Sequence, residues 1–208
     1  MPKSRTRKKT RKSRTKQIDW GGAAAKGSGR INLVLGAIAA VALVVGGLYL
    51  WRTYRASGDF EALAAQGQPA LARVETTPDF GGGHLSPGQG HLYDRPFPTS
   101  GIHDRTPVAP GFYNEHQPAT KRVHSVEHGH IVIYYESPGA EAIQLWKDWT
   151  ALYGGRWDGV VAAPSSGLGK AVVLTAWRKI LRLDEFDAAA AASFIDKFRG
   201  RGPENPVR

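Results

Sequence analysis

The sequence predicts an α+β fold carried behind a single N-terminal transmembrane helix, and three observations predict it. An uncharged apolar run of 21 residues, Ile31 to Trp51, is long enough to cross a bilayer at about 1.5 Å per residue. Further on, β-branched and aromatic runs alternate with stretches of helical spacing in the order β-α-β-β-α. Between the two lies a Gly- and Pro-rich segment without regular periodicity, which holds most of the histidines. The expected domain is a small mixed sheet with helices on one side and a long His-rich loop segment.

The charge pattern sets the address. The chain has 208 residues and a formal charge of +10. Residues 1–30 hold eleven basic residues and one acid, Asp19, while the rest balances 17 basic against 17 acidic residues. A nucleic-acid binder would carry its basic patch on the folded part, so no nucleic acid is expected as a partner. Residues 1–30 read as a disordered basic tail. Eleven basic residues before the span, against Arg52 and Arg55 just after it, predict a cytoplasmic N-terminus and an outward C-terminal part at the plasma membrane. Anionic lipid headgroups would attract the tail by roughly 1 kcal/mol per basic residue near the surface. The run ends in Leu-Tyr-Leu-Trp-Arg, a poor cleavage site, so residues 31–51 read as an anchor rather than a signal peptide.

The elements follow in order. Residues 52–80 read as a stalk with a short helix over 59–66, interrupted by Gly67, Pro69 and Pro78. Residues 81–204 read as the extracytoplasmic domain. Its first forty residues form an irregular segment packed by Tyr93, Phe97, Phe112 and Tyr113. HIVIYYE (130–136) reads as a buried strand. Ser137-Pro138 open a helix whose stripe is Ala142, Leu145, Trp146, Trp149, Leu152 and Tyr153, closed by Gly154-Gly155. VVAAP (160–164) is a second strand and 171–183 a third, long or broken. Asp187 caps a last helix with Ala191, Phe194, Ile195 and Phe198 inward, stopped by Arg201-Gly202-Pro203.

The histidines carry the chemical signal. All seven (His84, His91, His103, His116, His124, His128 and His130) fall in less than a quarter of the chain. The chain has no Cys, which excludes disulfides, thiolate nucleophiles, iron–sulfur clusters and Cys-bound zinc. Its single Met is the first residue, which argues against a soft Cu(I) site. Clustered imidazoles with nearby carboxylates suit Zn(II), Cu(II) or Fe. In HSVEHGH, His124 and His128 converge whether the segment is extended or forms a helical turn. The expected ligands are therefore His103, His124 and His128, with His84 or His91 as a fourth. Glu127 would orient a ligand or act as a base; in the extended reading it faces away from the histidines.

HSVEH also matches the His-x-x-Glu-His string of inverted zinc peptidases, which needs a helix. Pro118 upstream and Gly129-Ile-Val-Ile-Tyr-Tyr downstream argue for a strand instead. A metal-free envelope scaffold, its histidines bonded to loop backbone, is the other alternative.

The blocks GGGH (81–84), PFPTSGIH (96–103), GFY (111–113), VHSVEHGHIVIYYESP (123–138) and RGPE (201–204) resemble the bacterial envelope proteins grouped as domain of unknown function 3105. The resemblance covers residues 80–204. It implies a single-pass, N-terminally anchored protein, and marks His84, His103, His124, Glu127 and His128 as motif positions. Phe97 and Ile102 depart from the family's usual prolines and leave His103 in place. The resemblance implies no activity.

Overall fold

The computed structural model describes residues 28–208. Most of the basic tail, residues 1–27, lies outside the described residues. The chain divides into two units, Met1–Gly47 and Leu48–Arg208. Helix α1 (Ser28–Gln66) contains the apolar run, and among the described residues it is the one helix long and apolar enough to cross a membrane.

In the second unit the chain continues through a 3-10 turn (Gln68–Arg73) into β1 (Glu75–Thr76) and β2 (Gly111–Phe112). Then come α2 (Ala119–Glu127), β3 (Ile131–Tyr135), α3 (Ala140–Leu152), β4 (Val160–Pro164), β5 (Val172–Ala176), β6 (Lys179–Leu183) and α4 (Ala188–Phe198). Among the described residues the strands form one mixed sheet in the order β1-β6-β5-β3-β4-β2. β3 and β4 run parallel, joined by α3, and Ile133 lies opposite Ala162. β5 lies antiparallel to β3 and β6 antiparallel to β5. This is the expected α+β class. The long third strand is broken into a hairpin at Trp177-Arg178, where Arg178 takes φ 58°.

The alternation along β3 explains the layers. Ile131, Ile133 and Tyr135 face a core with Trp146 and Trp149 of α3 and Phe194 and Ile195 of α4. Val132 and Tyr134 face the other way, onto Phe97 and Val108 of the loop segment and Val126 of α2. All five β3 residues are buried, as a strand covered on both faces requires. The two expected helices share one face; α2, where the sequence argued for a strand, joins the opposite one.

Several local readings resolve. Asp187 caps α4 as expected, its carboxylate accepting from the Ala190 amide at 2.9 Å. Helix α3 starts later than Ser137-Pro138, with Gly139 at its N-cap, and the Ser137 amide donates to the Gly169 carbonyl at 3.0 Å. Residues 52–80, read as a stalk, contribute Phe60 and Ala64 to the α3/α4 core and β1 to the sheet edge.

Residues 119–127 are helical, which corrects the strand argument drawn from Pro118 and Gly129. Pro118 sits at the N-cap, where no amide is needed and its carbonyl accepts from Lys121 and Arg122 at 3.1 Å. Gly129, at φ 95°, ends the helix in the left-handed region, so β3 begins two residues later. Proline and glycine bracket a helix here rather than exclude one.

Candidate metal centre

Two loop segments and one helix build the cluster. The Gly101 amide donates to the Gly81 carbonyl at 2.8 Å, and the His103 amide to the Gly83 carbonyl at 2.9 Å. The Leu85 amide returns a bond to the His103 carbonyl at 2.7 Å, closing a parallel bridge between His84 and His103. Gly83 and Gly101 both take φ 115°, which a side chain would resist. The bridge sets the His84 and His103 rings edge to face, 5.1 Å apart. Helix α2 brings His124 to the same place, with ring centroids 4.9 Å from His103 and 5.0 Å from His84. One turn on, His128 stands 4.6 Å from His124, with the Trp157 ring packed over it at 4.3 Å. Ser125 holds the loop onto α2, its hydroxyl accepting from the Val108 amide at 3.0 Å.

The tautomers follow from the partners, because a backbone carbonyl only accepts. His103 Nδ1 lies 2.8 Å from the Gly101 carbonyl and His124 Nδ1 2.7 Å from that of Asp104. His128 Nδ1 lies 3.3 Å from the Arg156 carbonyl. All three rings thus donate Nδ1–H outward and turn Nε2 into the cluster. His124 Nε2 faces His128 Nε2 at 3.0 Å. His103 Nε2 faces Glu127 Oε2 at 2.9 Å, and His128 Nε2 faces Glu204 Oε2 at 2.9 Å. Each is a pair of acceptors when the rings are neutral, so each calls for a proton or a cation. Burial pushes the His124 imidazole down to about 4; the neighbouring rings add to this and the bond to the Asp104 carbonyl opposes it. His124 is therefore neutral at pH 7, the state a ligand needs. The C-terminal end of α2 adds partial negative charge beside His124 and His128, which favours a cation.

Among the described residues, two groups place their ligand atoms within 4.8 Å of one another. One is His84, His103, His124 and Glu127; the other is His124, His128 and Glu204. His103, His124 and His128, expected as one set, are thus divided between two groups that share His124. Of the two candidate fourth ligands, His84 is in the cluster. His91 stands outside it, edge-on to Tyr93 at 4.6 Å. Glu127 is at ligand distance itself, because helical geometry turns it toward His103 rather than away. Glu204 was not assigned a role from sequence; the only signal was its place in the closing RGPE block.

The remaining histidines have other environments. His130 is 1 % exposed and makes the opposite choice of tautomer, donating Nε2–H to the Arg156 carbonyl at 2.7 Å. Burial holds its imidazole down at about 4. His116 lies 3.5 Å from the Arg122 guanidinium; burial and then that charge lower it.

Fold and cluster together define an α+β domain that holds a histidine–carboxylate nest and follows one apolar helix in the chain. The family model described as "Protein of unknown function (DUF3105)" matches residues 84–208, and the chain belongs to that family. No curated protein and no solved structure matches the chain.

Proposed function

We propose that this chain is a single-pass plasma-membrane protein of the bacterial envelope whose outward domain binds one divalent transition metal ion, for delivery or sensing. In this reading residues 1–30 are the cytoplasmic tail, held near anionic headgroups, and residues 31–51 the span. The basic excess before the span supports that orientation. His84, His103, His124 and Glu127 would hold the ion.

One observation carries the reading: His103 and His124 tie Nδ1–H to the Gly101 and Asp104 carbonyls and turn Nε2 toward the group completed by His84 and Glu127. Histidine ligands are oriented in this way, with the outer N–H fixed so that the inner lone pair is aimed. The nitrogen and oxygen donors suit Zn(II), Cu(II) or Fe. His84 is exposed, which leaves the ion open to water on that side.

A metal-free scaffold is supported by the two 2.9 Å contacts of His103 with Glu127 and His128 with Glu204, which protonated rings would turn into ion pairs. A zinc hydrolase is supported by the helical setting of His-x-x-Glu-His. It is weakened by Glu127, whose carboxylate is engaged by His103 rather than free to activate water.

The test is metal content of the full chain, purified in detergent without chelators. About one equivalent of a transition metal is expected, and a folded His103→Ala/His124→Ala variant should lose it. A wild type that arrives empty and takes up neither Zn(II) nor Cu(II) would overturn the proposal.

A further inference from the structure

We infer that the cluster offers a metal ion two overlapping berths with His124 common to both, and that His128 and Glu204 form the outer one, through which the ion enters and leaves. This rests on the metal reading above and adds a route to it.

The inference starts from a single atom. His124 Nδ1 is occupied by its bond to the Asp104 carbonyl, so Nε2 is its only free lone pair. One lone pair binds one ion. The two groups that share His124 are therefore alternatives for a given ion, and cannot both hold one through His124 at once.

The outer group has metal-sized geometry. His124 Nε2, His128 Nε2 and Glu204 Oε2 form a triangle with sides of 3.0, 2.9 and 4.0 Å. The circle through those three atoms has a radius of about 2.0 Å, matching Zn–N and Zn–O bonds of roughly 2.0–2.2 Å. An ion at its centre would reach all three donors without movement of the helix.

Charge and exposure together give the order. Each group has one exposed member, His84 in one and Glu204 in the other, and of the two only Glu204 is a carboxylate. Its side chain is 43 % exposed, against 16 % for Glu127, while His103 is fully buried. A hydrated cation is drawn to Glu204 first, with His128 behind it at 2.9 Å. It then exchanges those two ligands for His103, Glu127 and His84 while His124 keeps hold of it, so it is never released into a low-dielectric interior.

The fold places Glu204 deliberately close. The C-terminal segment crosses the end of α2 at Gly202, where a Cβ would collide with the Glu127 carbonyl oxygen and the Gly129 amide nitrogen. The Gly200 amide donates to the Gly129 carbonyl at 2.8 Å and the Glu204 amide to the Glu127 carbonyl at 3.4 Å. These bonds anchor the segment on both sides of the crossing.

The test is Zn(II) exchange with a fluorescent chelator, followed by stopped flow on the detergent-purified full chain. Glu204→Gln and His128→Gln should keep about one equivalent and a dissociation constant within about threefold of wild type. Both uptake and release should slow about tenfold. His103→Ala, by contrast, should weaken binding by about a hundredfold. If Glu204→Gln and His128→Gln weaken binding as much as His103→Ala, there is one undivided site and the two-berth inference falls. If they change neither rate nor affinity, the outer berth does not exist. A wild type that takes up no Zn(II) sinks the metal reading itself, a result distinct from either.

Discussion

His130 should make the metal-free domain acid-sensitive by a predictable amount. The ring is 1 % exposed, and burial holds it at about 4 against an ordinary 6.5. Between those values the unfolded chain binds a proton that the folded chain refuses. Stability is therefore full above about pH 6.5 and falls as pH drops toward 4. At 1.36 kcal/mol per pH unit, and with the native ring half protonated at the lower end, the loss from pH 7 to pH 4 is on the order of 3 kcal/mol. His130→Gln removes the titration and keeps a donor for the Arg156 carbonyl. Urea unfolding of metal-stripped residues 56–208, followed by tryptophan fluorescence at several pH values, measures the difference. The wild type should lose about 3 kcal/mol more than the variant over that range. Curves that fall in parallel would refute the reasoning, because the shared buried groups, His124 included, titrate in both proteins.

Two further predictions address how the site and its support are built. Gly202→Ala places a methyl against the backbone at the end of α2 and should cost about 1–3 kcal/mol through overpacking. It should also slow Zn(II) exchange as Glu204→Gln does, and unchanged stability and exchange in Gly202→Ala would contradict the crossing geometry. Phe60 is 2 % exposed and meets Trp149 and Tyr153 edge-on at 5.7 and 5.0 Å. Phe60→Ala should cost about 3–5 kcal/mol in chemical denaturation, whereas a free stalk would lose almost nothing.

The legible parts of the sequence were those with local period. The strand IVIYY, the Trp146/Trp149 stripe and the Asp187 cap each state their geometry within a few residues, and the structure has them. The convergence of His124 and His128 was legible for the same reason, since a spacing of four brings two side chains together in either conformation. The direction of Glu127 was not, because three residues from His124 means the same side in a helix and the opposite side in a strand. Pro118 and Gly129 misled for a physical reason: they disfavour helix at their own positions and delimit it between them. Phe60 and Glu204 were hidden by distance. One lies in a segment that reads as a linker, the other 76 residues beyond His128, and only tertiary packing brings them in.

The contrast among the buried histidines shows that tautomer, rather than burial, separates the rings that face the cluster from the one that braces the backbone here. His128 and His130 are neighbours, both buried, and both address the Arg156 carbonyl. His130 does so through Nε2 and leaves Nδ1 without a partner, which suits a ring that only braces the turn before β3. His128 does so through Nδ1, and that single difference sends its Nε2 to within 3.0 Å of His124. Backbone carbonyls fix Nδ1–H on all three rings, and the outcome is that His103 and His128 each turn Nε2 to a carboxylate while His124 stands in both groups. Loop bracing alone has no use for that convergence, whereas cation binding would account for it. The metal-free alternative must instead place one proton between His103 and Glu127 and another between His128 and Glu204. The two readings therefore differ in what neutral pH puts between the rings and the carboxylates, a proton or a metal ion. The His103→Ala/His124→Ala metal analysis decides between them directly.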